Sequence, residues 1–157
     1  MHAQDLTTQL AAHLGGQIAA AHLLLKILEE EHTALKGADA HALDRAGSAK
    51  IAALNEFERL EQARRQLCRL HDGRAAFERL IDTLDRGTAL RSAWQHLLEL
   101  TGRCRDANQT NGLIIAYRQK QIRQLLGVLR GASGAHTYSP SGTPNAIAAS
   151  ARALARA

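Results

Sequence analysis

Aromatic residues make up only 3% of this 157-residue chain. That scarcity argues against a compact β-sandwich, whose two facing sheets are usually filled with large rings, and against a stacking platform for nucleic-acid bases. Proline is nearly absent: Pro140 and Pro144 are the only two, so the first 139 residues contain no proline breaker. Cysteine is limited to Cys68 and Cys104, too few for a disulfide framework and consistent with reduced thiols in a cytoplasmic protein. The N-terminal "MHAQDL" lacks the basic n-region of a secretory leader. The apolar run "AAAHLLLKIL" is broken by His22 and Lys26 and is too short to span a bilayer. There is no Walker loop, no GxGxxG and no nucleophile elbow, so an enzyme is not expected and no cofactor is implied.

What is present favours helix. Apolar residues reach 45%, dominated by Ala and Leu with Arg, Gln and Glu between them. The net charge of +5 and the pI near 9.8 permit contact with nucleic acid or anionic surfaces without demanding it.

Periodicity divides the chain. From Leu10 to Leu35, the residues Leu10, Leu14, Ile18, Ala21, Leu25, Leu28 and Leu35 recur in steps of three and four, with His32 filling the remaining slot. The acidic run Glu29–Glu31 reads as a solvated face. Gly37 is placed to end this helix as its C′ residue, and Asp39 to cap the next. A second helix is expected over Ala40–His71, with Leu43, Ala46, Ala53, Leu54, Phe57, Leu60, Leu67 and Leu70 on its stripe. "HDG" closes it, "AAFERLIDTL" forms a short helix, and "DRGT" breaks the chain around Gly87.

The next element contains "CRDANQTNG", Cys104–Gly112, which carries a hairpin-type Asn-Gly and a glycosylation-like Asn-Gln-Thr at Asn108. The sequon reads as a chance match in a cytoplasmic protein. Leu90, Trp94, Leu97, Thr101, Cys104, Asn108, Asn111, Ile115, Arg118, Ile122, Leu125 and Leu129 alternate steps of four and three without a slip. A hairpin would break that phase, so one continuous helix is predicted from near Thr88. Asn108 and Asn111 then lie on its apolar seam as a register-setting polar layer, and Gly112 offers close approach to a neighbouring helix. The fold class is all-α: an elongated antiparallel helical bundle or coiled coil of three long helices plus a short one. The body covers residues 1–131 and a flexible C-terminal tail covers 132–157.

The tail is Gly/Ser/Pro-rich around a lone aromatic, Tyr138, which has no local core to bury it. It is either a casual surface tyrosine or an anchor for a partner's pocket. Beyond it, "AIAASARALARA" places Ile147, Ala151 and Leu154 on one face of a segment too short to hold a helix alone, suited to folding on a partner.

Metal chemistry has little support. Cys68 and His71, three apart, fit one helix face and Cys104 is a third candidate ligand, with no fourth in view. Trp94 reads as a core residue. The basic clusters Arg64, Arg65, Arg69, Arg74 and Arg118, Lys120, Arg123 read as solvated faces, with nucleic-acid binding as the competing reading.

The stretch "NQTNGLIIAYRQKQIRQLLGVLRG" followed by "HTYSPSG" resembles the FlgN family of flagellar type III export chaperones. The resemblance rests on Asn108, Asn111, Gly112, Leu125, Leu126, Leu129, Tyr138 and Gly142, and extends N-terminally through Lys50 and Arg65. Ser139 and Pro140 stand where the family often has glycine after the tyrosine, which stiffens the turn. The resemblance implies a cytosolic chaperone for the first and third hook-associated proteins, FlgK and FlgL. It implies binding of their C-terminal helical segments, docking to the cytosolic domain of the export gate protein FlhA through Tyr138 and Gly142, and no nucleic acid or stable membrane insertion. Substrate capture is assigned to Ile147, Ala151 and Leu154. The chain is expected to be a monomer or homodimer. A structural coiled-coil adaptor and a basic helical nucleic-acid-binding protein remain the alternatives.

Overall fold

The computed structural model describes residues 3–68, 73–84 and 89–134. Among these residues the chain forms four helices and no strand: α1 Ala3–Gly37, α2 Ala40–Cys68, α3 Gly73–Leu84 and α4 Ala89–Gly134. The expected stripe residue Leu70, the closing His71 and the break at Gly87 lie outside the described residues. Asn111 and Gly112 fall inside α4, which has no hairpin there. The unbroken three-four phase and the absence of proline outweigh the turn propensity of Asn-Gly.

The α1–α2 junction is closed by backbone geometry and one side chain. Asp39 N–H donates to the Ala34 carbonyl at 3.1 Å and Ala38 N–H to the Leu35 carbonyl at 3.3 Å, the paired bonds of a Schellman motif. The left-handed residue is Ala38, with φ of 52°. Gly37, expected to take that role, is the last helical residue, one position too early. Asp39 caps α2 as expected: its Oδ1 accepts from Ala42 N–H at 2.9 Å.

Two compact units divide the chain, Met1–Ile114 and Ile115–Ala157. In the first, α1 supplies half of the buried apolar residues, among them Leu10, Leu14, Ala21, Leu24, Leu28 and Leu35. Phe77 and Ile81 of α3 join it, with Leu90, Trp94, Leu97, Leu100 and Cys104 of α4. Trp94 is buried and meets Phe77 edge-on, ring centroids 4.7 Å apart. By contrast α2 buries mainly the small residues Ala46 and Ala53, while Leu54 of its expected stripe is exposed. By length and composition Gln4–Gly37 could cross a membrane; here Leu10, Leu14, Leu24, Leu25, Ile27 and Leu28 are in the bundle core, while Leu23 is exposed.

The buried seam of α1 is not quite the one the periodicity suggested. Leu10, Leu14, Gln17, Ala21, Leu24, Leu28, Glu31 and Leu35 are all buried, in strict steps of four and three. Gln17 and Glu31 occupy positions for which Ile18 and His32 had been expected. The EEE run is therefore divided: Glu29 and Glu30 are exposed, whereas Glu31 is 3% exposed.

Candidate partner-binding surface

The two polar seam residues of α1 each meet a cation from α2. Arg64 Nε donates to Gln17 Oε1 at 2.9 Å, and Lys50 Nζ lies 2.6 Å from Glu31 Oε1. Gln17 and Glu31 are two heptads apart on one helix, and Arg64 and Lys50 two heptads apart on the other, in the opposite direction. The pairs therefore share a single antiparallel register. Helix α4 runs parallel to α1: Cys104 contacts the Ala21 carbonyl at 3.4 Å, and Asn111 contacts the Leu28 carbonyl at 2.9 Å, one heptad on in both helices.

Around Glu31 three helices converge. Asn111 Nδ2 donates to Glu31 Oε2 and to the Leu28 carbonyl, both at 2.9 Å. Asn111 Oδ1 sits 3.0 Å from His32 Nδ1, and Lys50 Nζ also reaches Asn108 Oδ1 at 3.4 Å. Asn111 is 2% exposed, whereas Asn108 is on the surface. Every buried side-chain nitrogen and oxygen among the described residues has a partner. The close approach expected at Gly112 is not made: a methyl group added there would meet nothing within 4 Å. Gly112 lies on the exposed side of α4, one residue past the seam.

Arg64 corrects the reading of the first basic cluster as a solvated face. It is 6% exposed, and its guanidinium carbon lies 4.1 Å from the Phe77 ring centroid and 5.0 Å from that of Trp94. Burial holds its pKa below the usual arginine value, opposed by the nearby Cys68 and Glu61. Trp94 Nε1 donates to Glu78 Oε1 at 3.2 Å, and Arg74 Nε to the same oxygen at 2.7 Å. Arg65 is exposed and bridges to Glu61 on its own helix; Arg69 lies outside the described residues. Among the described residues the cluster splits between core, at Arg64, and surface, at Arg65 and Arg74.

Two apolar features are open to solvent. One is a groove of about 230 Å³ between α1, α2 and the first part of α4, floored by Leu24, Leu28, Leu54, Phe57 and Cys104, with Lys50, Arg105 and Asn108 on its margin. The other lies in the second unit, at the end of α4. Ile122, Leu125, Leu126 and Leu129 are between 46% and 64% exposed, and Tyr117 and Val128 are 63% and 70% exposed. The helical phase continues past Ile115 as the continuing seam the periodicity predicts, and these side chains are exposed. Tyr138, Gly142, Ile147, Ala151 and Leu154, to which docking and capture were assigned, lie outside the described residues. No three His, Cys, Asp or Glu side chains among the described residues come together as a metal set.

These features define an all-α helical bundle held in register by buried polar pairs and ending in an exposed apolar helix. The chain matches the FlgN protein family model over residues 1–146 and belongs to the FlgN family. That family is one of flagellar export chaperones, soluble in the cytosol. No curated protein and no solved structure matches the chain.

Proposed function

We propose that this protein is the cytosolic chaperone of the flagellar hook-associated proteins FlgK and FlgL. It binds their C-terminal helical segments, prevents premature assembly and delivers them to the cytosolic domain of the export gate protein FlhA. The observation that carries this reading is the run of large apolar side chains left exposed on α4 between Tyr117 and Leu129. Exposed apolar residues at helical spacing form the kind of face that an amphipathic helix covers. Each such side chain removed from water contributes about 1.5–3 kcal/mol before ordering costs are subtracted.

Residues 132–157 extend this capture surface. Ile147, Ala151 and Leu154 add a second apolar strip to the substrate helix, and Tyr138 with Gly142 docks the gate. By its sequence the Ile147–Leu154 segment is too short to hold a helix alone, so folding on a substrate costs free energy, which suits a cargo that must be released.

Calorimetric titration with the C-terminal segment of a hook-associated protein from the same organism tests the reading. The full chain is compared with a truncation ending at Gly131 and with a Leu125→Asp/Leu129→Asp variant. Binding by the full chain, weakened in both altered forms, is expected. Absence of binding by the folded full chain would favour a structural adaptor instead. Tyr138→Ala is expected to spare substrate binding and weaken binding to the gate domain.

A further inference from the structure

We propose that the exposed end of α4 selects its occupant by charge, taking an amphipathic helix whose flanks are acidic. The proposal rests on the reading of this surface as the capture site and names the chemistry of what it captures.

Charge is divided unevenly along the chain. Residues 1–112 hold all 15 Asp and Glu and 14 of the 20 Lys and Arg. Residues 113–157 hold Arg118, Lys120, Arg123, Arg130, Arg152 and Arg156, and not one acidic residue. The first part is almost balanced, so the positive charge of the protein resides at the apolar end. In the first part several basic residues pair with carboxylates, as Arg59 does with Glu56, Arg65 with Glu61 and Lys50 with Glu31. The four cations of α4 beyond residue 114 have no ion-pair partner among the described residues, and Lys120, Arg123 and Arg130 are exposed.

Their placement on the helix is specific. At about 100° per residue, Ile122, Leu125, Leu126 and Leu129 share an arc of about 100°, the width one neighbouring helix covers. Arg123 and Arg130 are seven residues apart and lie together along the edge beside Leu126, while Arg118 stands at the N-terminal end of the arc. A helix packed on the leucines brings its own flank against that edge. Acidic residues there, spaced by seven, meet Arg123 and Arg130, which are about 10 Å apart along the axis.

The same charges decide against other occupants. The segment Ile147–Leu154 of this chain contains Arg152, is followed by Arg156 and has no acid to offer, and the corresponding surface of a second copy is equally basic. Either would bring like charges together at the rim. An anionic bilayer would also satisfy the cations, so vesicle binding is one arm of the test.

The test uses the full chain and three labelled peptides of about 20 residues with one leucine stripe and Glu, Gln or Lys flanks, measured by fluorescence anisotropy at about 50 and 500 mM salt. The Glu-flanked peptide is expected to bind about tenfold tighter than the Gln-flanked one at low salt, with the gap shrinking at high salt. Arg123→Glu/Arg130→Glu, both exposed changes, is expected to transfer the preference to the Lys-flanked peptide. Equal binding of all three peptides, or an unchanged preference in the variant, would overturn the proposal. So would binding to phosphatidylglycerol vesicles that the Glu-flanked peptide fails to displace. A hook-associated segment in the same assay separates the two readings. If it binds without salt dependence or response to the charge reversal, charge selection fails and the chaperone reading stands. If the Glu-flanked peptide binds with the expected preference and the hook-associated segment does not bind, charge selection stands and the chaperone reading fails.

Discussion

Arg64 of α2 donates to Gln17 of α1 across 2.9 Å with both side chains buried, and no carboxylate accepts from its Nε. The guanidinium is instead sandwiched among an amide oxygen and the rings of Phe77 and Trp94. This pair and the Glu31–Lys50 pair sit two heptads apart and agree on one register. A slip of one heptad would set a buried cation against leucine, which is far costlier than the loss of packing alone.

A first prediction concerns that pair. Gln17→Leu leaves a buried guanidinium short of its acceptor and is expected to cost about 1.5–3 kcal/mol. Arg64→Met retains the apolar stem and orphans only the amide, costing about 1–3 kcal/mol. The double variant is expected to cost less than the sum of the two, with a coupling of about 1 kcal/mol or more in urea unfolding. Strict additivity would mean that the hydrogen bond contributes nothing to stability.

At the second polar layer, Asn111→Ala removes both donors that reach Glu31 and the Leu28 carbonyl. Destabilisation of about 2–4 kcal/mol is expected, because a carboxylate that is almost fully buried keeps only Lys50. Asn108→Ala, at an exposed position, is expected to change stability by less than about 0.5 kcal/mol. Chemical denaturation of the two variants side by side gives the contrast, and equal effects would contradict the buried network.

The α1–α2 turn offers a stabilising change. Ala38 holds a left-handed backbone at φ 52°, where a Cβ is unfavourable. Ala38→Gly is expected to raise stability by about 0.5–1 kcal/mol, read as a melting temperature higher by about 1–4 °C. The neighbouring Gly37→Ala, inside the helix with open space around it, is also expected to stabilise. A loss on Ala38→Gly would show that the turn geometry differs.

Thiol chemistry gives an independent check on burial. Desolvation pushes the pKa of both Cys104 and Cys68 up, opposed by Arg103 in the first case and by Arg64 in the second. Both thiols therefore stay protonated near neutral pH, since it is the charged thiolate that burial disfavours. Titration with a chromogenic disulfide reagent is expected to be slow for the folded protein below pH 8, with Cys104 slower than Cys68, and rapid in denaturant.

Much of this protein was legible before any fold was known. The absence of proline, the wealth of Ala and Leu, and the three-four recurrence through Asn111 determined an all-α chain and one helix across the Asn-Gly dipeptide. Asp39 was recognisable as a cap because an Asp followed by helical periodicity has a local job, accepting from an N–H three residues on. The motif pattern around Asn108, Asn111 and Gly112 was enough to suggest the family. These features are local, or repeat along one helix, so a single chain segment carries them.

What the tertiary structure decided is which of two adjacent residues faces the core. Gln17 beside Ile18 and Glu31 beside His32 differ by one position in phase, and hydropathy favours the wrong member of the first pair. Arg64, Lys50 and Asn111, brought from 47, 19 and 80 residues away, make it favourable to bury Gln17 and Glu31. The seam past Ile115 keeps its period, yet periodicity does not reveal whether a neighbour lies opposite. That Leu125 and Leu129 are exposed is not legible in the period, because burial belongs to pairs of helices and not to either helix alone.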